Sequence, residues 1–428
     1  MRLFRFVIPL LFLSLSASSC EAAADALSLP ELLLKAQDNN PELIAARQGW
    51  KVKQQEARAA GVWENPTFSY TDEKFPPGMA GGTPEAIKHY RVEQRIPFPG
   101  KLTQDARMRY HEALISQANY RAKELDVFRD IRMRYYQLYL TGQEIVLAQQ
   151  SVEVLKNALA SAQGRLGANR SSTSDVFMAQ TELGRMKNRL YEQQQQRHLI
   201  EIELNTLLNQ PQETLLGSTT APALIDVPVS LKDLEKLTRA NNPLYLNAMH
   251  EVNHSQAMQA RNRLEWAPDF GVMYEREETD AGPAGRQIGV SVSFPLWFKR
   301  PWADSRAAAA HVIEAKSGAQ AMQNMALKMV HMEFTETNTH LKEARNYLSD
   351  ILPSAQSNLK IAQQQYASGQ ADFLRLLEAF RTWIEVHTEY QNQLYHVGEH
   401  WSELERWVGI DLSQARQALE QQEMNHDK

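Results

Sequence analysis

Features that would indicate several common classes of protein are missing from this sequence of 428 residues. It has a single cysteine, Cys20, so one copy cannot form an internal disulfide. The formal net charge is −5 and no block of basic residues occurs, which argues against nucleic acid as a partner. After the N-terminus, no apolar run approaches the roughly 18 residues of a membrane-spanning helix. No glycine-rich phosphate loop, nucleophile elbow or carboxylate pair stands out, so neither an enzyme nor a cofactor is predicted.

Residues 1–19 have the pattern of a secretion signal. Arg2 and Arg5 give a positive start, Phe6–Leu15 form an apolar run, and small residues then lead to Cys20. The run is too short for a spanning helix, so the pattern predicts export across the inner membrane.

The position of Cys20 resembles the lipobox of bacterial lipoproteins, in which the cysteine becomes the acylated first residue of the mature chain. The match departs from that pattern at Ala17, where such boxes usually carry Leu. The alternative is ordinary cleavage after Ala24, which would leave Asp25 as the first residue. A lipid anchor at Cys20 is the favoured prediction.

Most of the chain is written twice. Asn39-Asn40-Pro41 returns as Asn241-Asn242-Pro243, and a second proline at 66 returns at 268. In both copies the Asn-Asn-Pro turn opens a helical stretch, because proline is tolerated in a first helical turn, and the second proline precedes a strand-like run. The duplication predicts one structural unit of about 200 residues used twice, in repeats 20–210 and 229–412 joined by a linker at 211–228.

After each second proline, apolar and polar residues alternate with a period of two. This pattern predicts two strand hairpins, at 66–98 and 268–297. Val290 and Val292 fall on one face of the last strand, and Ser291 falls on the other. The alternation fits half-buried strands of a soluble sheet, and it also fits a membrane β-barrel with lipid outside and water inside. Four strands cannot close a barrel alone, so the membrane alternative requires oligomerisation.

A helical repeat with steps of three and four residues extends over 101–166 and again over 301–366. A single helix of about 66 residues would be roughly 100 Å long, which no compact globular domain needs. Each long helix should end in a turn and be followed by a returning helix, at 172–208 and 372–408. The polar tail 413–428 is expected to fray.

Two pairs of histidines have the spacing of metal ligands on one helix face. His396 and His400 belong to an H-x-x-E-H pattern that inverted zinc proteases share. Those enzymes need a further acidic ligand well downstream, and a solvated helix face is the favoured interpretation, with a surface metal contact as the alternative. His250 and His254 have the same spacing without the glutamate, and the same interpretation applies.

A stripe of thioethers lies on the second long helix. It consists of Met322, Met325, Met329 and Met332, with His331 beside them. Soft ligands of this kind select Cu(I), but methionine also fills irregular gaps between packed helices. Packing is the favoured interpretation, and a metal contact is the weaker alternative.

Two repeats of helix, strand hairpin, very long helix and returning helix, behind a secretion signal, resemble the TolC family of outer-membrane efflux channels. The resemblance covers nearly the whole mature chain, and its order and doubling are its specific features. The resemblance rests on residues at corresponding positions of the two repeats. They are the helix openings at Pro41 and Pro243, the strand entries at Pro66 and Pro268, and the helix-ending turns at Asn169 and Gly369. The segment Pro97-Phe98-Pro99-Gly100-Lys101 and its counterpart Pro295-Leu296-Trp297-Phe298 also contribute.

The resemblance implies a mainly α-helical chain with a transmembrane β section. Three copies would form a homotrimer whose strands build a twelve-stranded barrel in the lipid of the outer membrane. Their helices would form a tunnel across the periplasm.

The resemblance further implies a passive export conduit in a tripartite efflux system. Its partners would be a periplasmic adaptor (membrane fusion) protein and an inner-membrane pump of the RND type. The small size, the Gly100-Lys101 pair and the predicted lipid anchor are most similar to the CzcC/CusC branch, which serves heavy-metal pumps. Drug efflux and type I protein secretion are the alternatives within the family. A soluble periplasmic coiled-coil scaffold would explain the helices but not four amphipathic strands.

In this family, acidic side chains near the second helical tip form a ring that constricts the periplasmic mouth. Counted from Gly369, the matching positions are Arg375 and Glu378, so Glu378 keeps the acid and Arg375 replaces one acid with a base. The counterpart of Arg375 in the first repeat is Asp175. A gate closed by Asp175–Arg375 pairs across the trimer is one hypothesis. The alternative is two ordinary exposed charges, which contribute little.

Overall fold

The computed structural model describes residues 27–74, 86–168, 172–279 and 282–426, and most of them are helical. The first repeat contains α1 (Leu29–Asn39), α2 (Pro41–Ala59), β1 (Thr67–Lys74), β2 (Ala86–Ile96), α3 (Lys101–Gly167) and α4 (Thr173–Leu207). The second repeat contains α5 (Leu231–Asn241), α6 (Pro243–Arg263), β3 (Asp269–Thr279), β4 (Gly282–Ser293), α7 (Lys299–Asn346), α8 (Leu352–Ser368) and α9 (Phe373–Val408). A last helix, α10, spans Ala415–His426. None of the helices in these ranges combines the length and apolarity needed to cross a membrane.

The repeated Asn-Asn-Pro motif breaks each opening helix and ties the break to the end of a distant helix. Asn40 Oδ1 accepts hydrogen bonds from two N–H groups in the first turn of α2, and Asn40 Nδ2 donates to the Leu207 carbonyl at 2.9 Å. Asn242 does the same in the second repeat. Its Oδ1 accepts from the Tyr245 N–H at 2.9 Å, and its Nδ2 donates to the Trp407 carbonyl at 2.7 Å. Asparagine suits both positions because its side chain both accepts and donates.

Helix α3 is the longest element of the fold. Its 67 residues span about 100 Å. It packs against α4, α2, α6 and α9, so it contacts both repeats. The buried positions follow the repeat of threes and fours, and they include Ile131, Tyr135, Leu138, Val152, Leu155 and Ala162.

The second long helix differs from the continuous α-helix expected over 301–366. It is α-helical through Asn346, has π-helical spacing over Tyr347–Ile351, and continues as α8 to Ser368. Pro353 supplies the physical reason, because proline lacks the N–H of the ordinary ladder and its ring clashes with the carbonyl four residues earlier. A π turn just before the proline relieves that conflict locally, so the helix passes Pro353 without ending.

The four strands form one antiparallel sheet in the order β1-β2-β3-β4. The β2–β3 pair joins the two repeats, and one row across the sheet contains Phe68, Val92, Tyr274 and Ile288 as direct partners. Among the residues that the structure describes, β1 and β4 each have one hydrogen-bonded neighbour. Each therefore presents an open edge.

The expectation that the chain frays after Leu412 is wrong. Leu412 and Ala415 are completely buried, and a short 3-10 turn over Leu412–Gln414 leads directly into α10. Both residues pack in a hydrophobic cluster that also contains Leu234 and Trp407. A few apolar residues in the first turn are enough to dock a tail whose overall composition is polar.

Candidate functional site

One face of the sheet is apolar and exposed. Direct partners in antiparallel strands point the same way, so the apolar residues of the four strands share this face. Ile288 is 77% exposed and Val290 is 72% exposed. The exposed members are Phe68, Tyr70, Val92, Phe270, Val272, Tyr274, Ile288, Val290 and Val292. A continuous apolar surface of this kind marks a site of contact with lipid or with another apolar partner.

The opposite face of the sheet is polar and contains an ionic network. His89 Nδ1 lies 2.8 Å from Glu275 Oε1, and Arg91 Nη2 lies 2.9 Å from Glu275 Oε2. Ser291 and Gln287 of β4 share the face of Glu275, because Gln287 is its direct partner and Ser291 lies four residues along. This face contains the Glu275 network, whereas the polar side chains Gln94, Arg276 and Arg286 lie among the aliphatic and aromatic residues of the other face.

Aromatic side chains collect where the sheet meets the helices. Trp266 stacks on Phe298 with ring centroids 6.1 Å apart. Three exposed tryptophans also lie near this junction in the sequence. Trp63 precedes the start of β1, and Trp297 and Trp302 follow the end of β4. The apolar face of the sheet is thus bordered by a belt of amphipathic rings.

Lys101 connects the two repeats at this junction. It is 3% exposed, and its Nζ lies 2.9 Å from Asp269 Oδ1 at the start of β3. The Phe98 N–H donates to the same carboxylate oxygen at 2.9 Å. Gly100 adopts a left-handed conformation with φ of 99°, which allows the chain to turn from β2 into α3. The Gly100-Lys101 pair therefore has a structural role at the base of the sheet.

The far ends of the two helical hairpins lie side by side. Arg165 donates to the Tyr366 carbonyl, and its guanidinium lies 4.7 Å from the centroid of the Tyr366 ring. Arg381 of α9 also pairs with Glu182 of α4. Gly369 ends α8 in a left-handed conformation with φ of 82°. The corresponding turn at Asn169 lies outside the described residues.

The three predicted gate residues all lie at this tip, in the first two turns of the returning helices. Asp175 is half-buried and forms a capping box with Ser172, whose N–H donates to Asp175 Oδ2 at 3.3 Å. Arg375 and Glu378 are exposed and lie three residues apart on α9. Within one chain, the described residues contain no ion pair between Asp175 and Arg375. The pairing between neighbouring copies therefore stays a prediction.

The methionine stripe does not form one cluster. Met322 and Met329 are half-buried, and Met329 packs against the cluster around Trp407, whereas Met325 and Met332 are exposed. His331 Nε2 lies 2.8 Å from Glu235 Oε1 on α5, within hydrogen-bond distance, so this nitrogen already has a partner. Packing accounts for Met329, and the metal contact stays the weaker alternative.

The helix face at His396 and His400, expected to be solvated, is solvated only in part, with side-chain exposures of 39% and 22%. Both rings are partly buried against His340 of α7, with centroids 5.0 and 5.2 Å from the His340 ring. A hydrogen bond with Glu333 raises the pKa of His400, although burial opposes the shift. A hydrogen bond with His396 lowers the pKa of Glu399. The spacing along the sequence marks His396 and His400 but not His340, because His340 lies on another helix and only the packing of α7 against α9 brings the three rings together.

The second histidine pair is also partly buried rather than solvated. His250 lies with its ring centroid 5.9 Å from that of His111 on α3, and burial lowers the pKa of both side chains. His254 Nε2 lies 3.6 Å from Glu112. These rings occupy the interface between α6 and α3.

Cys20, the predicted lipidation site, lies outside the described residues.

The model of the outer membrane efflux protein family matches the chain twice, over residues 32–210 and 234–410. The chain belongs to this family. The two matched segments coincide with the two repeats, so the duplicated unit is the unit of the family. Proteins of this family are outer-membrane channels rather than enzymes.

Solved structures of such channels have the same fold. The outer-membrane channel OprN is 16% identical, with a TM-score of 0.80 over 90% of each chain. CusC, described in connection with transmembrane channel formation, is 15% identical, with a TM-score of 0.80 over 91% of this chain and 93% of its own. The outer membrane protein VceC of Vibrio cholerae is 17% identical, with a TM-score of 0.77 over 90% of this chain and 96% of its own. These matches confirm a mostly helical, TolC-like fold. No curated protein sequence matches the chain at a significant level.

Proposed function

We propose that three copies of this chain form an outer-membrane efflux channel in which their strands close one twelve-stranded barrel. The observation that carries the proposal is a four-stranded sheet with open edges at β1 and β4 and an exposed apolar face. An exposed strand edge is a template for pairing, and in lipid every backbone polar group needs a partner within the protein. Pairing β4 of one copy with β1 of the next meets both requirements.

The two faces and the aromatic belt support the same arrangement. The apolar face would contact lipid, and the face with His89, Arg91 and Glu275 would line a water-filled interior. Rings such as Trp297, which is 84% exposed, suit the boundary between hydrocarbon and water. The helices would then extend from this boundary into the periplasm as a tunnel.

Membrane fractionation tests this proposal. The full-length chain should appear in outer-membrane extracts as trimers that dissociate to monomers on heating. A coiled-coil scaffold would instead leave with the soluble periplasmic fraction. Recovery of the chain as a soluble monomer would contradict the channel.

We infer that the conduit is passive, docks a periplasmic adaptor at its tips and is driven by an RND-type pump in the inner membrane. Heavy-metal cations are the proposed cargo. The support is the resemblance of the chain to the CzcC/CusC branch in length, in Gly100-Lys101 and in Cys20. The fold does not favour a branch, since OprN and CusC give the same TM-score of 0.80.

Deleting the gene for this protein tests which substrate the channel exports. Cells without it should become sensitive to Zn²⁺, Co²⁺ or copper before they become sensitive to antibiotics, and the native chain should restore resistance. Sensitivity to antibiotics alone would favour the drug-efflux alternative, and a defect in protein secretion alone would favour type I secretion.

The proposed gate at the periplasmic mouth consists of Asp175 paired with Arg375 of a neighbouring copy, with Glu378 beside them. Exposed pairs of this kind contribute about 1 kcal/mol or less each. Three around a ring would bias the mouth towards closure and still yield to an adaptor.

Arg375→Asp should place like charges together and raise the conductance in planar bilayers. Adding Asp175→Arg should restore closure by exchanging the partners. Unchanged conductance of the single variant, or a double variant that stays as open as the single one, would leave Glu378 as the next gate candidate.

A lipid on Cys20 is the remaining proposal, supported by the single cysteine after an apolar signal. Mass spectrometry of the mature N-terminus should find an acylated Cys20. An unmodified chain that begins at Asp25 would exclude the anchor and leave the channel proposal intact.

A further inference from the structure

We propose that His340, His396 and His400 form a binding site for one divalent transition-metal ion, of the Zn²⁺, Cu²⁺ or Ni²⁺ class. The potential ligand nitrogens of the three side chains lie within 4.8 Å of one another, and all three residues are partly buried. Imidazole is a preferred ligand of these ions. His396 and His400 share one face of α9 through their i, i+4 spacing, and His340 faces them from α7. The ion would therefore link the two helices.

The hydrogen bonds of His396 and His400 leave one nitrogen of each ring available for an ion. His396 Nδ1 lies 2.9 Å from Glu399 Oε2, and His400 Nδ1 lies 2.8 Å from Glu333 Oε2. A carboxylate accepts hydrogen bonds, so in the neutral imidazole the proton lies on Nδ1. The lone pair is then on Nε2 in both rings. Carboxylates that hold Nδ1–H in this way are the usual outer partners of metal-bound histidine.

His340, the third histidine, also has its Nδ1 engaged by a hydrogen bond, in this case with the side-chain amide of Gln393. His340 Nδ1 lies 2.6 Å from Gln393 Oε1, and Gln393 Nε2 donates to Glu389 Oε1 at 2.9 Å. The bond to Glu389 fixes the orientation of the amide, because only its NH₂ group can donate to a carboxylate. The oxygen of Gln393 must then face His340 as an acceptor. Nδ1 of His340 carries the proton, and its Nε2 has the lone pair.

The surroundings favour a cation. Glu336 Oε2 lies 3.9 Å from His340 Nε2, the nitrogen that would bind the ion, so this carboxylate is a candidate for a fourth ligand. Without an ion, the rings of His340 and His400 stack with an angle of 6° between their planes. Binding therefore requires the rings to turn until their Nε2 atoms converge at about 2.0–2.1 Å from the ion. The partial exposure of all three side chains leaves room for that rotation and for entry of the ion.

Calorimetric titration of the full-length, detergent-purified protein with Zn²⁺ tests the site. The affinity tag must be removed and the protein treated with a chelator first. We expect one ion per chain. His340→Gln and His396→Gln should each weaken binding by at least tenfold, and Gln393→Leu should weaken it by roughly 10–100-fold through loss of an outer partner. Co²⁺ in place of Zn²⁺ should give the visible absorption of nitrogen coordination.

The matched control is His254→Gln, which alters the other i, i+4 pair of histidines and should leave Zn²⁺ binding unchanged. Zn²⁺ should also raise the melting temperature of the native protein and not that of His340→Gln, a readout that is independent of the titration. No binding by the native protein, full affinity in His340→Gln, or equal loss in His254→Gln would overturn the proposal. The result is independent of the exported cargo, because the proposed ion is resident.

Discussion

Replacing Asn242 by aspartate tests whether the repeated Asn-Asn-Pro motif ties distant helix ends together. The change keeps the shape of the side chain and removes its donor. Asn242 is completely buried, and it accepts from the Tyr245 N–H at 2.9 Å while it donates to the Trp407 carbonyl at 2.7 Å. An aspartate would still cap α6, but it would place a carboxylate oxygen against the carbonyl oxygen of Trp407.

The expected loss of folding stability comes from two groups, the Trp407 carbonyl that loses its donor and the new carboxylate at position 242. A buried carbonyl without its donor costs about 1–3 kcal/mol. Burial of the new negative charge, which the cap to α6 offsets only in part, raises the total to about 3–5 kcal/mol. Asn242→Ser keeps an oxygen for the cap and loses only the bond to Trp407, so it should cost about 1–3 kcal/mol. Asn40→Asp should resemble Asn242→Asp, because Asn40 is 3% exposed and makes the equivalent bond at 2.9 Å.

Guanidinium unfolding of the detergent-purified protein, followed by the helical circular dichroism signal, measures these differences. Asn39→Asp is the control, because Asn39 is exposed and lies at the equivalent turn of the first repeat, next to Asn40. It should cost less than about 1 kcal/mol. Equal midpoints for Asn242→Asp and Asn39→Asp would refute the tie between the motif and the end of α9.

Two further pairs of substitutions test which side chains face lipid and which positions are tightly packed. Val292→Arg should cost up to about 2–4 kcal/mol if it faces the middle of the bilayer, whereas Ser291→Arg should be tolerated, and equal yields of folded trimer would contradict the lipid-facing assignment. Gly398→Ala would place a Cβ 2.7 Å from Tyr136 Cε2 and should destabilise by about 1–3 kcal/mol. Gly184→Ala meets nothing within 4 Å and should stabilise by up to about 1 kcal/mol. The reverse order of these two melting temperatures would contradict the packing of α9 on α3.

The fold class could be predicted because its signals are local and occur twice. The spacing of Ile131, Tyr135 and Leu138 marks a buried helical face, and the alternation around Val290 marks a strand with two different faces. The resemblance built on these patterns is confirmed at the level of the family. The roles of Asn40 and Lys101 were not predicted, because their partners lie in distant parts of the chain.

The features that the sequence did not predict depend on packing between elements. His340 meets His396 only because α7 lies against α9, and no spacing along the chain encodes that contact. The docking of α10 depends on Leu412 and Ala415 filling a cluster, which average polarity conceals. The Asp175–Arg375 gate stays a prediction from the sequence, because its proposed pairs join different copies.

Cysteine cross-linking between the two open edges of the sheet tests the central claim most directly. In a Cys20→Ala background, Ser69→Cys on β1 and Gln287→Cys on β4 leave no other thiol, and both positions lie on the polar face. A flexible bismaleimide added to outer-membrane fragments should convert the double variant into a ladder of covalent dimers and trimers that ends at three chains. Each single variant should stay monomeric, because one thiol cannot join edge to edge. The absence of a ladder, or a ladder that continues beyond three chains, would contradict a trimer closed through β1 and β4.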